Sequence, residues 1–290
     1  MANKMPTTEF EALLVELRNL TQRLINTEVG ENVRTIKKAR SALDDITDRL
    51  TDISTALDPI RRPTSIFDPT DPSTAGRIVA LTLVAQDRHP LAAVPSFYGA
   101  GVYAIYYSGK FDPYQALAGT EHPIYVGKAD PDASAAKDAV SQGPKVSLRL
   151  QEHAKNIGKA GSTLCIEDFE CRFLIVQTGF QKSAEDYLIK FFKPIWNSET
   201  KICFGLGKHG DSASTRANKR SPWDTLHPGR KWADSSEQNQ KPYELILDQI
   251  ANHFVKNPAY INAVDIYDHF MSDMRQLNPE LDKAYLATQK

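Results

Sequence analysis

A chain of 290 residues with 41% hydrophobic and 24% charged side chains can bury a full core, in one large domain or two smaller ones, and is not disordered throughout. Its net charge of −1 means that any nucleic-acid surface must gather its basic residues locally rather than spread them over the molecule. The three cysteines (Cys165, Cys171 and Cys203) have no CxxC spacing, and neither a secretory signal nor an apolar run of roughly 18 residues is present. A cytoplasmic protein with reduced thiols and no membrane span is expected.

In chain order, Phe10, Leu13, Leu17, Leu20 and Leu24 alternate three-four spacing along one helical seam. Ile36, Ala39, Leu43, Ile46, Leu50, Ile53 and Leu57 continue the pattern as a full heptad run. Gly30, within residues 26–31, breaks the register, so 1–60 is predicted as a helical, coiled-coil-like hairpin ended by Asp58-Pro59. Its seam either packs on the rest of the chain or joins copies of it. Pro-rich, polar residues 61–76 read as a linker.

Residues 77–200 have the pattern of a mixed α/β core. A β-rich run at 102–107 lies among Gly99, Gly101 and Gly109, and a short strand at 124–126 is closed by Gly127. A helix is expected at 147–157, a buried strand at 169–177, and an amphipathic helix at 183–192 stopped by Pro194. Residues 201–235 have few periodic apolar positions; Lys208, Arg216, Lys219, Arg220, Arg230 and Lys231 outnumber Asp211 and Asp224 there. Two apolar faces, from Tyr243 to Phe254 and from Tyr260 to Met274, predict packing helices in 236–290.

The chemistry-bearing residues start with two short β-segments, Gly-Val-Tyr at 101–103 and Tyr-Val-Gly at 125–127. Glycine and tyrosine near strand ends are usually turn and packing residues, so the order downstream matters. Arg149 and His153 stand four apart and project from one helical face. Glu185 follows on a later helix, and Asn197 lies beyond Pro194. This set resembles the GIY-YIG nuclease signature, with Ile-to-Val changes in both halves. The Arg-x-x-x-His, Glu, Asn order, with residues 204–232, is similar to the restriction-endonuclease branch that cuts CCGCGG, the SacII site. The resemblance covers roughly residues 95–235. It implies an α/β fold with a small, mainly antiparallel three-stranded sheet flanked by helices, acting on double-stranded DNA with Mg²⁺.

Phosphodiester hydrolysis needs a positioned water, a proton acceptor, and stabilisation of charge growing on phosphate and leaving oxygens. Glu185 is a hard oxygen donor suited to a single Mg²⁺, and Arg149 offers a forked, permanently charged guanidinium to the scissile phosphate. Tyr103 and Tyr125 are poor bases at their ordinary pKa near 10, whereas His153, at an ordinary value of about 6.5, accepts a proton near neutrality. The resemblance gives the base role to Tyr103; the residues suggest a relay in which His153 takes or orients its proton, and alone leave open which is the base. Asn197 either turns the chain after Pro194 or, as the resemblance implies, holds the site or contacts DNA backbone. Lys128, directly after Tyr-Val-Gly, reaches phosphate or is simply solvated.

For sequence readout, Lys208, His209, Arg216, Lys219, Arg220 and Arg230 are the residue types that pair guanine in the major groove. The expectation is therefore a type II restriction endonuclease cutting a GC-rich palindrome. Two-fold sites imply a homodimer, or a higher homo-oligomer where the heptads join copies. Two other readings share the motif. A structure-specific or repair nuclease would not need the basic stretch, and a non-catalytic DNA-binding scaffold would not need the intact Tyr, Arg, His and Glu set.

Overall fold

A computed structural model describes residues 7–28, 32–58, 60, 66, 68–206, 219–234 and 238–275. It divides into two compact units, Met1–Pro63 and Thr64–Lys290. In the first unit, helix α1 (Thr7–Ile25) and helix α2 (Val33–Leu57) match the two periodic runs. The Asn32 side chain caps α2 by accepting from the Arg34 amide at 2.9 Å. Residues 29–31, where the hairpin turn was expected, lie outside the described residues. The α2 seam is unburied: Leu43, Ile46, Leu50, Ile53 and Leu57 are all exposed.

The second unit opens with helix α3 (Pro72–Val84), which starts inside the stretch read as a linker. Proline misled that reading. At the first helical position its missing N–H costs nothing, and Asp71 accepts from the Ser73 amide at 2.7 Å to cap the turn.

The sheet has four strands among the described residues rather than the three expected: β1 (His89–Pro90), β2 (Gly101–Tyr107), β3 (Tyr125–Ala129) and β4 (Phe169–Ile175). Their order is β1-β4-β2-β3, with every neighbouring pair antiparallel. The extra strand escapes periodicity because it has two residues, one of them a proline tolerated only at an edge. Gly127 does not close β3; it lies within the strand, opposite Tyr103.

Strand alternation divides the core. Val102, Ala104 and Tyr106 join Val126 under α3 and helix α6 (Gln181–Phe192), packing on Ala80, Leu83, Ala184 and Leu188. Tyr103, Ile105 and Tyr107 face the other way, into a cluster with Val146, Leu150 and Ile157 of helix α5 (Lys145–Lys159). A short helix α4 (Ala139–Gln142), with its own capping box, precedes α5. Because both faces are covered, β2 is buried along its whole length, and a fully buried Val102 or Ile105 contributes about 1.5–3 kcal/mol. Helix α6 ends at Lys193, whose φ of 48° turns the chain left-handed just before Pro194.

The stretch read as a basic loop is partly core. Helix α7 (Pro222–Leu226) and helix α8 (Lys231–Asp234) bracket its described C-terminal part, and Trp223 and Leu226 are buried. A buried polar chain fixes it. Tyr114 Oη meets His227 Nε2 at 2.6 Å and accepts from Trp196 Nε1 at 3.0 Å, while His227 Nδ1 meets Thr163 Oγ1 at 2.9 Å. Helix α9 (Tyr243–Lys256) and helix α10 (Ala263–Arg275) follow; α9 buries Ile246 and Ile250 from its expected face, but α10 buries Ile266 and Phe270 and leaves Val264 and Met271 of its expected face exposed. No helix among the described residues is long and apolar enough to cross a membrane.

Candidate active site

The site lies at the sheet edge formed by β3. Tyr103 comes from β2 and Tyr125 from the start of β3, across the antiparallel register that pairs Tyr103 with Gly127. A Cβ on Gly127 would fall 2.6 Å from Tyr103 Oη, so only glycine lets the Tyr103 ring lie across its neighbour strand. This is the physical content of the second motif's last residue.

An edge strand leaves backbone groups unpaired. Here Asn197 closes them: its Oδ1 accepts from the Val126 amide at 3.1 Å, and its Nδ2 donates to the Val126 carbonyl at 2.8 Å. Asn197 is 5% exposed, with its side-chain amide engaged on the backbone of β3.

Helix α5 brings Arg149 and His153 to the same place. Tyr103 Oη and His153 Nε2 are 2.8 Å apart in a hydrogen bond. The rings of Tyr103, Tyr125 and His153 form a cluster, with centroids 5.0 Å apart for Tyr125 and His153 and 5.5 Å for Tyr103 and His153. The imidazole is fully buried, which changes its chemistry. Burial first, then the charges of Arg149 and Arg230, lowers its pKa to about 3 instead of the ordinary 6.5. His153 is thus neutral near pH 7, not partly protonated as its residue type suggests. Burial also raises Tyr103 well above the ordinary tyrosine value, helped by Tyr125 and opposed by Arg149. Tyr125 is raised to about 12 by burial and by Glu185.

Tyr103, Tyr125, Lys128, Lys145, Arg149 and Glu185 line one open cleft of about 530 Å³. Arg149 is half-buried and pairs through Nη1 with Glu152 at 2.7 Å, and its charge acts on Tyr103 and Tyr125 across the cleft. Lys128 reaches Asp130 at the cleft rim. Lys145 was missed by the sequence reading, although it lies four residues before Arg149 on the same helical face. It pairs with Asp132 at the rim.

Glu185 enters the cleft from α6. Burial lifts its pKa to about 7, with Lys128 and Lys182 pulling it down and Glu199 and Asp186 pushing it up. No salt bridge among the described residues engages its carboxylate. A half-buried carboxylate that lacks its own cation fits a Mg²⁺ ligand, since Mg²⁺ keeps several waters and needs only one or two carboxylates. No group of three or more His, Cys, Asp or Glu residues arranged for a metal exists among the described residues, so the donor set is thin.

The residues assigned to base reading separate. Lys208, His209 and Arg216 lie outside the described residues. Lys219 and Arg220 are half-buried, and the Arg220 backbone pairs with residues 238 and 240. Arg230, expected at the DNA-reading surface, lies in the core instead. It is 2% exposed, and its guanidinium is bound to Asp224 at 2.6 and 2.7 Å, so it cannot reach a base. Its charge had placed it with the surface residues, but an aspartate six positions earlier takes it into the core.

Residues 95–254 match the Eco29kI GIY-YIG domain family, over more than half of the chain. No curated protein shows a significant match to the chain. With the two tyrosine segments on neighbouring strands and the Arg, His and Glu residues at one cleft, the chain belongs to the Eco29kI GIY-YIG domain family, a restriction-enzyme-associated family of DNA-cleaving nucleases.

Proposed function

We propose that the protein is a type II restriction endonuclease of the cytoplasm that hydrolyses DNA at a GC-rich palindrome such as CCGCGG, using one Mg²⁺. The observation that carries the reading is the convergence of Tyr103, Tyr125, Arg149 and Glu185 on one cleft, with His153 bonded behind Tyr103.

The mechanism follows from the burial of these groups. A free Tyr103 phenolate is strongly disfavoured, so Tyr103 does not act by ionising first. It accepts the proton of the attacking water while its own phenolic proton passes to His153 Nε2, which is neutral and 2.8 Å away. The phenol then never carries a full charge. The entering phosphate supplies negative charge that offsets Arg149 and makes the protonated imidazole less costly. Arg149 binds the phosphate oxygens and steadies the charge they gain at the transition state. Tyr125, more exposed than Tyr103, orients the water. Glu185 would hold Mg²⁺, which supplies Lewis-acid stabilisation of the leaving oxygen.

Lys128 contacts backbone phosphate, and Lys219 and Arg220, with the basic residues outside the described set, read bases. Substituting Arg220 distinguishes its two uses: relaxed selectivity means base contact, whereas uniform weakening with a smaller salt slope means phosphate contact.

A palindrome requires two sites related by a two-fold axis, so the enzyme acts as a homodimer or a higher homo-oligomer. The exposed α2 seam supports the higher state. It carries Leu43 and Leu50 at the first heptad position and Ile46 and Ile53 at the fourth, a combination that favours more than two strands. Sedimentation of the full chain, with and without Leu50→Asn, checks this.

Incubating the protein with plasmid DNA and Mg²⁺ and sequencing the ends tests the function. Discrete ends at one palindrome support it. Nicks confined to structured DNA would indicate a structure-specific nuclease, and uncut DNA a non-catalytic binder.

A further inference from the structure

Arg230 is too deeply buried to touch DNA, yet it is linked to the helix that carries the active site. Its Nε donates to Asp224 Oδ1 at 2.6 Å, and its Nη2 donates to Asp224 Oδ2 and to the Gly205 carbonyl, each at 2.7 Å. Nη1 donates to the Leu206 carbonyl at 3.0 Å. Trp223 and Trp232 lie 4.7 and 4.9 Å from the guanidinium carbon, and Asp224 Oδ2 also accepts the Ser221 hydroxyl at 2.5 Å. One side chain thus joins residues 205–206 to residues 221–224.

That junction is fastened to α5 twice. The Leu206 carbonyl is shared with Asn156 Nδ2 at 3.2 Å, three residues beyond His153 on the same helix. At the end of α5, Gly229 lies so close that a Cβ there would fall 1.9 Å from the Lys159 carbonyl oxygen. The Arg230 charge also reaches far enough to oppose protonation of His153. A buried ion pair adds little stability over a well-packed apolar pair of the same volume; what a forked guanidinium adds is direction.

We propose that Arg230 and Asp224 are positioning residues for the active site: their buried pair sets the placement of helix α5, and with it His153 and Arg149, against the two tyrosines. The effect on rate rests on the nuclease reading. The effect on His153 does not.

The test uses the full chain and the apolar double variant Arg230→Met/Asp224→Leu, with Arg230→Lys alongside. Three measurements are made: thermal melting, the His153 imidazole resonances without DNA, and single-turnover cleavage at saturating DNA and Mg²⁺. The expected result is a folded double variant, melting below wild type because the Gly205 and Leu206 carbonyls lose donors, whose His153 resonances shift or split. Its single-turnover rate falls about 100-fold with little change in DNA affinity, as a misplacement of about 1 Å would cause. Arg230→Lys keeps the charge but loses the fork; it moves the His153 resonances in the same way, and it decides the question if the double variant does not fold. Folded variants with wild-type His153 resonances would overturn the proposal, as would a rate loss that merely tracks melting temperature. If the wild type cuts no DNA, the nuclease reading fails, and the resonances still decide the positioning.

Discussion

Replacing Glu185 by glutamine separates two consequences of its position. In the folded, metal-free protein its carboxyl has a pKa of about 7 against an ordinary 4.5, with burial as the main cause. Between these values the folded chain holds a proton that the unfolded chain releases. The stability this group contributes is therefore fully present below about 4.5 and is lost as pH rises through about 7. The rise corresponds to about 3 kcal/mol, of which solvent at the cleft mouth screens part, leaving about 1–2 kcal/mol. With chelator present, Glu185→Gln is expected to melt a few degrees above wild type at pH 8 and to show no gain at pH 5. Adding Mg²⁺ raises the wild-type melting temperature at pH 8, less so below pH 7, and leaves the variant unmoved. The assay is a pair of melting series across pH, with and without the ion. An equal gap between variant and wild type at both pH values refutes the burial argument, and an equal Mg²⁺ response in both refutes the ligand assignment.

Without metal or DNA, His153 stays neutral down to about pH 3, so protonation of Glu185, in competition with Mg²⁺, is expected to set the acid limb of the pH–rate profile. His153→Ala should lower the plateau about 10²- to 10⁴-fold and keep a limb that moves to lower pH as Mg²⁺ is raised; loss of the limb would return the titration to His153. Gly127→Ala puts a methyl group 2.6 Å from Tyr103 Oη, which must move, and cleavage should drop about 100-fold while DNA affinity holds. Wild-type rates for that variant would show that the Tyr103 position is not critical. Asn197→Ala leaves the Val126 N–H and C=O unpaired at the sheet edge, and chemical denaturation should record a loss of about 2–4 kcal/mol. A loss under about 0.5 kcal/mol would mean that water replaces the amide.

The core of the site was legible because its chemistry depends on spacing that survives folding. Arg149 and His153 share a helical face at any packing, and Tyr103 and Tyr125 lie near the ends of runs whose composition marks them as strands. What sequence could not show was burial. His153 has the same letter whether its pKa is about 6.5 or about 3, and the difference comes from the α5–sheet interface. Arg230 was misplaced for the same reason: its partner Asp224 and the carbonyls of residues 205 and 206 become neighbours only in three dimensions. Strand β1 and the start of α3 were lost to prolines, which read as breakers until an edge strand or a first helical turn accommodates them. Lys145 was within reach, since one more step of four residues from Arg149 leads to it.

Single-turnover cleavage of an end-labelled duplex containing CCGCGG, with Mg²⁺, compares wild type with Tyr103→Phe and Glu185→Gln, each checked for folding by its melt. The predicted result is scission at one phosphodiester in each strand by wild type and a loss of at least about 10³-fold in both variants. Cleavage by either folded variant at the wild-type rate would contradict the assignment of the active site.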